Sequence, residues 1–155
     1  MKMKLFFKII FIVFLSVCGL NANAQCKAKT LVKQFKSELK PFEYDSYAIN
    51  DITFKKEKQI VEVIFTAYAG LDYRMVFCTS SLATPIGITI YDKPKTNKKR
   101  KPIYFTESGK DGYLCTFTPK TTGSYYIEYE VPASSTTVAE GSKGCILMLI
   151  GIKER

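Results

Sequence analysis

Histidine and tryptophan are both absent from this 155-residue chain. Without histidine there is no Ser-His-Asp triad, no Cys-His pair and no zinc site that uses imidazole. Without tryptophan, a sugar-stacking platform would lack its largest ring. Acids are scarce, 14 Asp+Glu against 23 Lys+Arg, which leaves a formal charge of +9. Long apolar runs are missing too. The longest, Leu5 to Val17, is broken by Lys8 and is shorter than the roughly 20 residues that span a bilayer. What is present is one domain's length of chain, 46% apolar, enough to bury a core.

The first 24 residues read as an address. Lys2, Lys4 and Lys8 lead the apolar run, and Ala22 and Ala24 end it in the Ala-x-Ala pattern of a secretory signal peptide. Cleavage is expected between Ala24 and Gln25. Cys18 follows Leu15-Ser16-Val17, which partly matches a lipobox. Val17 is too large for the position before a lipidated cysteine, so Cys18 is assigned to the removed segment. The signal holds three lysines and no acid, so the exported chain carries 9 − 3 = +6.

That excess is local. Lys93, Lys95, Lys98, Lys99, Arg100 and Lys101 put six cations into nine positions with no acid among them. Outside them the exported chain balances 14 bases against 14 acids.

Ala28, Leu31, Val32, Phe35 and Leu39 are spaced by three, one, three and four, one face of an amphipathic helix over about residues 27–40. Lysines occupy the other faces, and Pro41 ends it. A membrane-surface helix is the alternative, but a single Phe makes a poor insert. Beyond Pro41 the period becomes two. Strands are expected at Gln59–Ala67, Asp72–Cys78, Ile86–Ile90, Ile103–Thr106, Tyr113–Phe117, Tyr125–Val131 and Cys145–Ile152, with a weaker run at Ile49–Phe54. The fold class implied is all-β: an antiparallel, jelly-roll-like sandwich of seven to eight strands with one N-terminal helix, a single domain over residues 25–155. Cys145 to Ile150 is apolar at every position, as for a central strand covered on both sides. Tyr125, Ile127, Tyr129 and Val131 should face the core, with Tyr126, Glu128 and Glu130 in water.

Four cysteines stay in the exported chain: Cys26, Cys78, Cys115 and Cys145. An even count in an exported domain points to disulfides. Three connectivities are open. The pairing favoured is Cys26–Cys145, stapling the helix to the last strand, with Cys78–Cys115. A Cys₄ metal site is disfavoured because no C-x₂-C pair exists.

The segments Phe65-Thr-Ala-Tyr-Ala-Gly-Leu-Asp-Tyr-Arg74, Tyr126-Ile-Glu-Tyr-Glu-Val-Pro132 and Gly144-Cys-Ile-Leu-Met-Leu-Ile-Gly-Ile-Lys153 resemble a set of small exported proteins of Gram-negative bacteria. The Thr122-Gly-Ser-Tyr-Tyr126 element is also similar to GOLD-type and bacterial pre-peptidase C-terminal β-sandwiches. The resemblance implies a sandwich fold, an exported location and a binding or accessory role, and it carries over no catalytic residue.

Chemistry has few candidates. Ser134, Ser135 and Ser142 lie outside any Gly-x-Ser-x-Gly elbow. Glu128 and Glu130 share a strand face about 7 Å apart, a spacing open to glycosidase-like work but more simply solvated. Glu107, Asp111 and Asp92 fall short of a calcium loop. No cofactor and no metal is expected. The basic run is the sharpest feature: Lys93, Lys95, Lys98, Lys99, Arg100 and Lys101 are candidates for binding a polyanion. Lipid phosphate or anionic polysaccharide fits better than nucleic acid, which export and the lack of interleaved aromatics disfavour. The plain alternative is a solvated loop that discourages edge pairing. Tyr44, Tyr47, Tyr68 and Tyr126 are candidates for exposed rings. The sequence thus predicts a non-enzymatic envelope protein, periplasmic or secreted, with no transmembrane span after cleavage. Its expected partner is an anionic envelope component or an envelope protein. A carbohydrate- or lipid-binding module with a pocket in the sandwich is the alternative.

Overall fold

A computed structural model describes residues 26–106 and 113–155. The signal-peptide reading, with Cys18 and the Ala24–Gln25 cut, and the acidic turn at residues 107–112 lie outside the described residues.

The elements run α1 (Ala28–Phe35), a 3₁₀ turn (Lys36–Leu39), then β1 (Glu43–Thr53), β2 (Gln59–Ala67), β3 (Leu71–Cys78), β4 (Gly87–Tyr91), β5 (Pro102–Thr106), β6 (Tyr113–Phe117), β7 (Gly123–Val131) and β8 (Lys143–Glu154). Two four-stranded antiparallel sheets result, ordered β1-β8-β3-β6 and β2-β7-β4-β5. Successive strands change sheet at every step except β4 to β5, which is a hairpin. This is the strand order of a jelly roll. It leaves β4–β5 as the only connection among the described strands that need not bridge the two layers.

Alternation builds the core. Ile88 and Ile90 of β4, and Ile127, Tyr129 and Val131 of β7, are fully buried against Met75 and Phe77 of β3 and Ile146 of β8. β8 serves two layers, because it is central and apolar on both faces. Ile146, Met148 and Ile150 enter the space between the sheets. Leu147 and Leu149 face outward, where Leu39, Leu31, Val32 and Phe35 cover them. Burying each leucine contributes about 1.5–3 kcal/mol. The helix that shields β8 is shorter than its periodicity predicts, because its last turn tightens into 3₁₀ before Pro41.

Cys145 lies on that outward face, and its sulfur is bonded to Cys26, with Cα atoms 6.0 Å apart. The disulfide staples the start of α1 to the central strand. The Ser81 hydroxyl accepts from the Cys145 backbone N–H at 3.0 Å and lies 3.1 Å from the sulfur. The second expected bridge is overturned: Cys78 and Cys115 are both free and buried. They sit on neighbouring strands but on opposite faces. Cys78 packs beneath the helix with Leu147, and Cys115 packs between the sheets with Tyr113. Side chains that leave opposite faces of one sheet cannot meet in a disulfide.

β1 is also longer than expected, starting at Glu43 rather than Ile49. Tyr44 pairs with Gly151 and Ser46 with Ile150, so Asp45 is an inserted bulge residue. The bulge shifts the alternation: Tyr44 packs under the helix, whereas Ala48 and Ile52 turn into the core.

Candidate functional site

The β4–β5 hairpin loop carries the basic run. Two turns shape it. The Asn97 N–H donates to the Pro94 carbonyl at 2.9 Å, and the Arg100 N–H donates to the Asn97 carbonyl at 3.1 Å. The Asn97 side chain also accepts from the Lys99 N–H at 3.0 Å, the local capping that suits asparagine to turns.

These turns fold the loop back over the outer face of its own sheet. There the pairing aligns three rows across β2, β7 and β4. Glu62, Glu128 and Thr89 form the middle row, flanked by Ile64, Tyr126 and Tyr91 on one side and by Ile60, Glu130 and Gly87 on the other. Arg100 reaches the middle row. Its Nη2 donates to Glu128 Oε1 at 2.8 Å and its Nη1 to Glu62 Oε2 at 3.3 Å. Its guanidinium lies 3.9 Å from the Tyr91 ring centroid. A planar fork suits both demands, charge pairing and stacking, as an ammonium does not. Burial by itself disfavours the charged guanidinium. The hydrogen bond and charge of Glu128 outweigh it, and Arg100 is held more firmly protonated than usual.

Two expectations change here. Arg100, expected with the lysines as a polyanion candidate, is instead engaged within the fold: its side chain is 17% exposed and both carboxylates pair with it. Glu128, expected in water, is 8% exposed because the loop covers it. Glu130, its expected carboxylate partner, is paired instead with Lys58 at 2.7 Å. Lys93, Lys95, Lys98, Lys99 and Lys101 are all exposed and form no ion pair among the described residues. Among the described residues, the basic run therefore divides into one anchor and five exposed cations without an ion pair.

Beside the loop, the end of the sandwich opens into a cleft of about 730 Å³. It is lined by Asp92 and Lys93, where the chain leaves β4, by Lys120 and Thr121 of the β6–β7 connection and by Ser124 at the start of β7. Ile103, Phe117 and Tyr125 supply apolar lining. The aromatic part is held from below: Phe117 stacks on Tyr73 at 5.6 Å and touches Tyr125 at 5.3 Å. The Thr118 hydroxyl is committed to Asp72 at 2.7 Å and the Tyr125 hydroxyl to the Thr121 carbonyl at 3.3 Å.

The four candidate tyrosines do not gather. Tyr44 is half-buried under Lys36, and Tyr47 is exposed on β1. Tyr68 occupies the β2–β3 turn, and only Tyr126 lies on the loop's sheet face. Glu62, Tyr91 and Lys120 were not singled out by sequence, and Asp92 entered only as a calcium candidate. The one signal available for Glu62 was its place among the outward positions of β2, opposite a β7 glutamate once the register is known.

No family model matches this chain, and no curated protein does. Several solved structures share its outline. A periplasmic inhibitor of g-type lysozyme from Aeromonas hydrophila is 11% identical, with 74% of this chain and 90% of that one covered, at a TM-score of 0.46. The pre-peptidase C-terminal domain of a Bacillus anthracis collagenase is 6% identical over 68% of this chain and 88% of that one, at 0.45. A CBM4 structure is 12% identical over 77% and 83%, at 0.41.

Proposed function

We propose that this is an exported, non-enzymatic binding protein of the cell envelope, periplasmic or secreted, that holds an anionic envelope component on its β4–β5 loop. The observation that carries the reading is the division of labour within the basic run. Arg100 is fixed to Glu62, Glu128 and Tyr91, so the five exposed lysines stand on an anchored support. Cations carried on an anchored loop attract a polyanion with less ordering cost than cations on a loose one do. The Cys26–Cys145 bridge supports an oxidising compartment, and the signal-like residues 1–24 support export. No helix among the described residues is long and apolar enough to cross a membrane.

The test compares wild-type protein with a variant in which Lys93, Lys95, Lys98, Lys99 and Lys101 become Gln while Arg100 is kept. Both are passed over the anionic fractions of an envelope extract at low and moderate salt. The reading expects retention by wild type that falls steeply with salt and is lost in the variant. Equal retention by the two would leave the lysines as solvated charge.

A second reading, a carbohydrate- or lipid-binding module, is favoured by the cleft at the sandwich end, whose volume of about 730 Å³ lies within the range of small-ligand sites.

A further inference from the structure

The cleft and the loop share a boundary, because Lys93 belongs to both and Asp92 precedes it. From the groups brought together there we infer that the cleft takes a unit of an acidic saccharide, a sugar ring bearing a carboxylate. The inference rests on the anionic-partner reading above and names the chemical class of that partner.

Three features select it. Lys93 and Lys120 line the cleft from separate connections, so two cationic side chains border it, which suits a carboxylate. Exposed Ile103 and half-buried Phe117 offer apolar surface for the C–H face of a pyranose, and the Phe117 ring is backed by Tyr73 and by the buried Tyr125. Asp92 decides between ligand classes. Its carboxylate repels any anion there, uronate and phosphate alike, but a saccharide unit offsets this with hydroxyls that donate to it, and a bare phosphate chain brings none. The Ser124 hydroxyl, which makes no side-chain hydrogen bond among the described residues, adds a neutral donor and acceptor of the kind sugar hydroxyls use. The exposed lysines beyond the cleft, Lys95, Lys98, Lys99 and Lys101, would then follow later acidic units of the same polymer.

Calorimetric titration of the exported protein tests this with a tetragalacturonate, the uncharged reduced oligosaccharide of the same length, and inorganic polyphosphate. Wild type should bind the uronate at least about tenfold more tightly than the neutral sugar. Lys120→Gln, outside the basic loop, should weaken uronate binding about tenfold. Asp92→Ala should weaken uronate binding while strengthening polyphosphate binding. Substituting Lys95, Lys98 and Lys99 by Gln should affect polyphosphate more than the short uronate. If polyphosphate binds more tightly than uronate and Lys120→Gln changes neither, the saccharide site is overturned while the charge-based reading stands. If wild type binds no anion, both are overturned. All substituted side chains are exposed, and an unchanged thermal midpoint establishes that each variant is folded.

Discussion

Glu62 on β2 and Glu128 on β7 are directly opposed across the strand pair, and the guanidinium of Arg100 holds both. Facing like charges destabilise a sheet. Here they form a receptor for a loop, and the loop's arrival makes the arrangement favourable. The same contact that offsets the repulsion of two carboxylates anchors the loop that carries five lysines.

Arg100→Gln should therefore lower stability by about 2–3 kcal/mol, read as a shift in the urea midpoint with little change in slope. Adding Glu62→Gln and Glu128→Gln to that variant should recover part of the loss, because no facing carboxylates remain. Arg100→Lys should not restore it fully, since an ammonium neither forks to two acids nor stacks on Tyr91. A wild-type midpoint for Arg100→Gln would show that the clamp carries no net stabilisation.

The Cys26–Cys145 bridge closes a separation of 119 residues and holds a helix that has no fully buried residue of its own. Cys26→Ser with Cys145→Ser should cost about 2–4 kcal/mol. It should also free α1 before the sandwich unfolds. Limited trypsin digestion reports this: cleavage at Lys29 or Lys33 should be fast in the variant and in reduced wild type, and slow in oxidised protein. Equal rates would mean that packing of Leu31, Val32 and Phe35 holds the helix without the bridge.

Most of the fold was legible because most strands keep an unbroken period of two. β2 and β6 have the predicted ends, and the apolar run Cys145 to Ile150 marked the strand with two covered faces. Where local pattern and pairing part company, legibility stopped. Asp45 breaks the alternation of β1, so only its second half was visible. Cys78 and Cys115 were assigned to one bridge because sequence does not show which face of a sheet a residue takes when strands of different layers interleave. The basic run was visible as charge, yet Arg100 looked like its neighbours. Its role is set by Glu62, 38 positions earlier, and that relation exists only once β2 and β7 are in register.

At Gly144 packing, rather than turn geometry, dictates the residue. A Cβ there would lie 2.7 Å from Leu82 Cδ2 and 2.8 Å from the Ser81 carbonyl oxygen. The leucine can rotate away; the backbone oxygen belongs to the segment that also hydrogen-bonds Cys145. Gly144→Ala should destabilise by about 1–3 kcal/mol, whereas Gly123→Ala, with nothing within 4 Å, should be close to neutral. Thermal midpoints of the two variants make the comparison.

The buried thiols give the protein an alkaline limit. Desolvation pushes Cys78 and Cys115 from 9.0 up to about 12, because a thiolate in an apolar layer lacks water. In the unfolded chain both ionise near 9. Between these values the folded state holds protons that the unfolded state has released, so unfolding becomes easier as pH rises. Stability should be insensitive to these groups below about pH 9 and should fall between about pH 9 and 12. Cys78→Ala with Cys115→Ala should flatten that fall, even though the double variant is less stable at neutral pH for want of packing. Urea midpoints across this range measure it. In a protein spanning Gln25–Arg155, Cys78 and Cys115 should also resist a maleimide at pH 8 and both react once urea unfolds it. Rapid labelling of either cysteine in the folded state would mean that its layer opens to solvent, and the alkaline fall would then have another source.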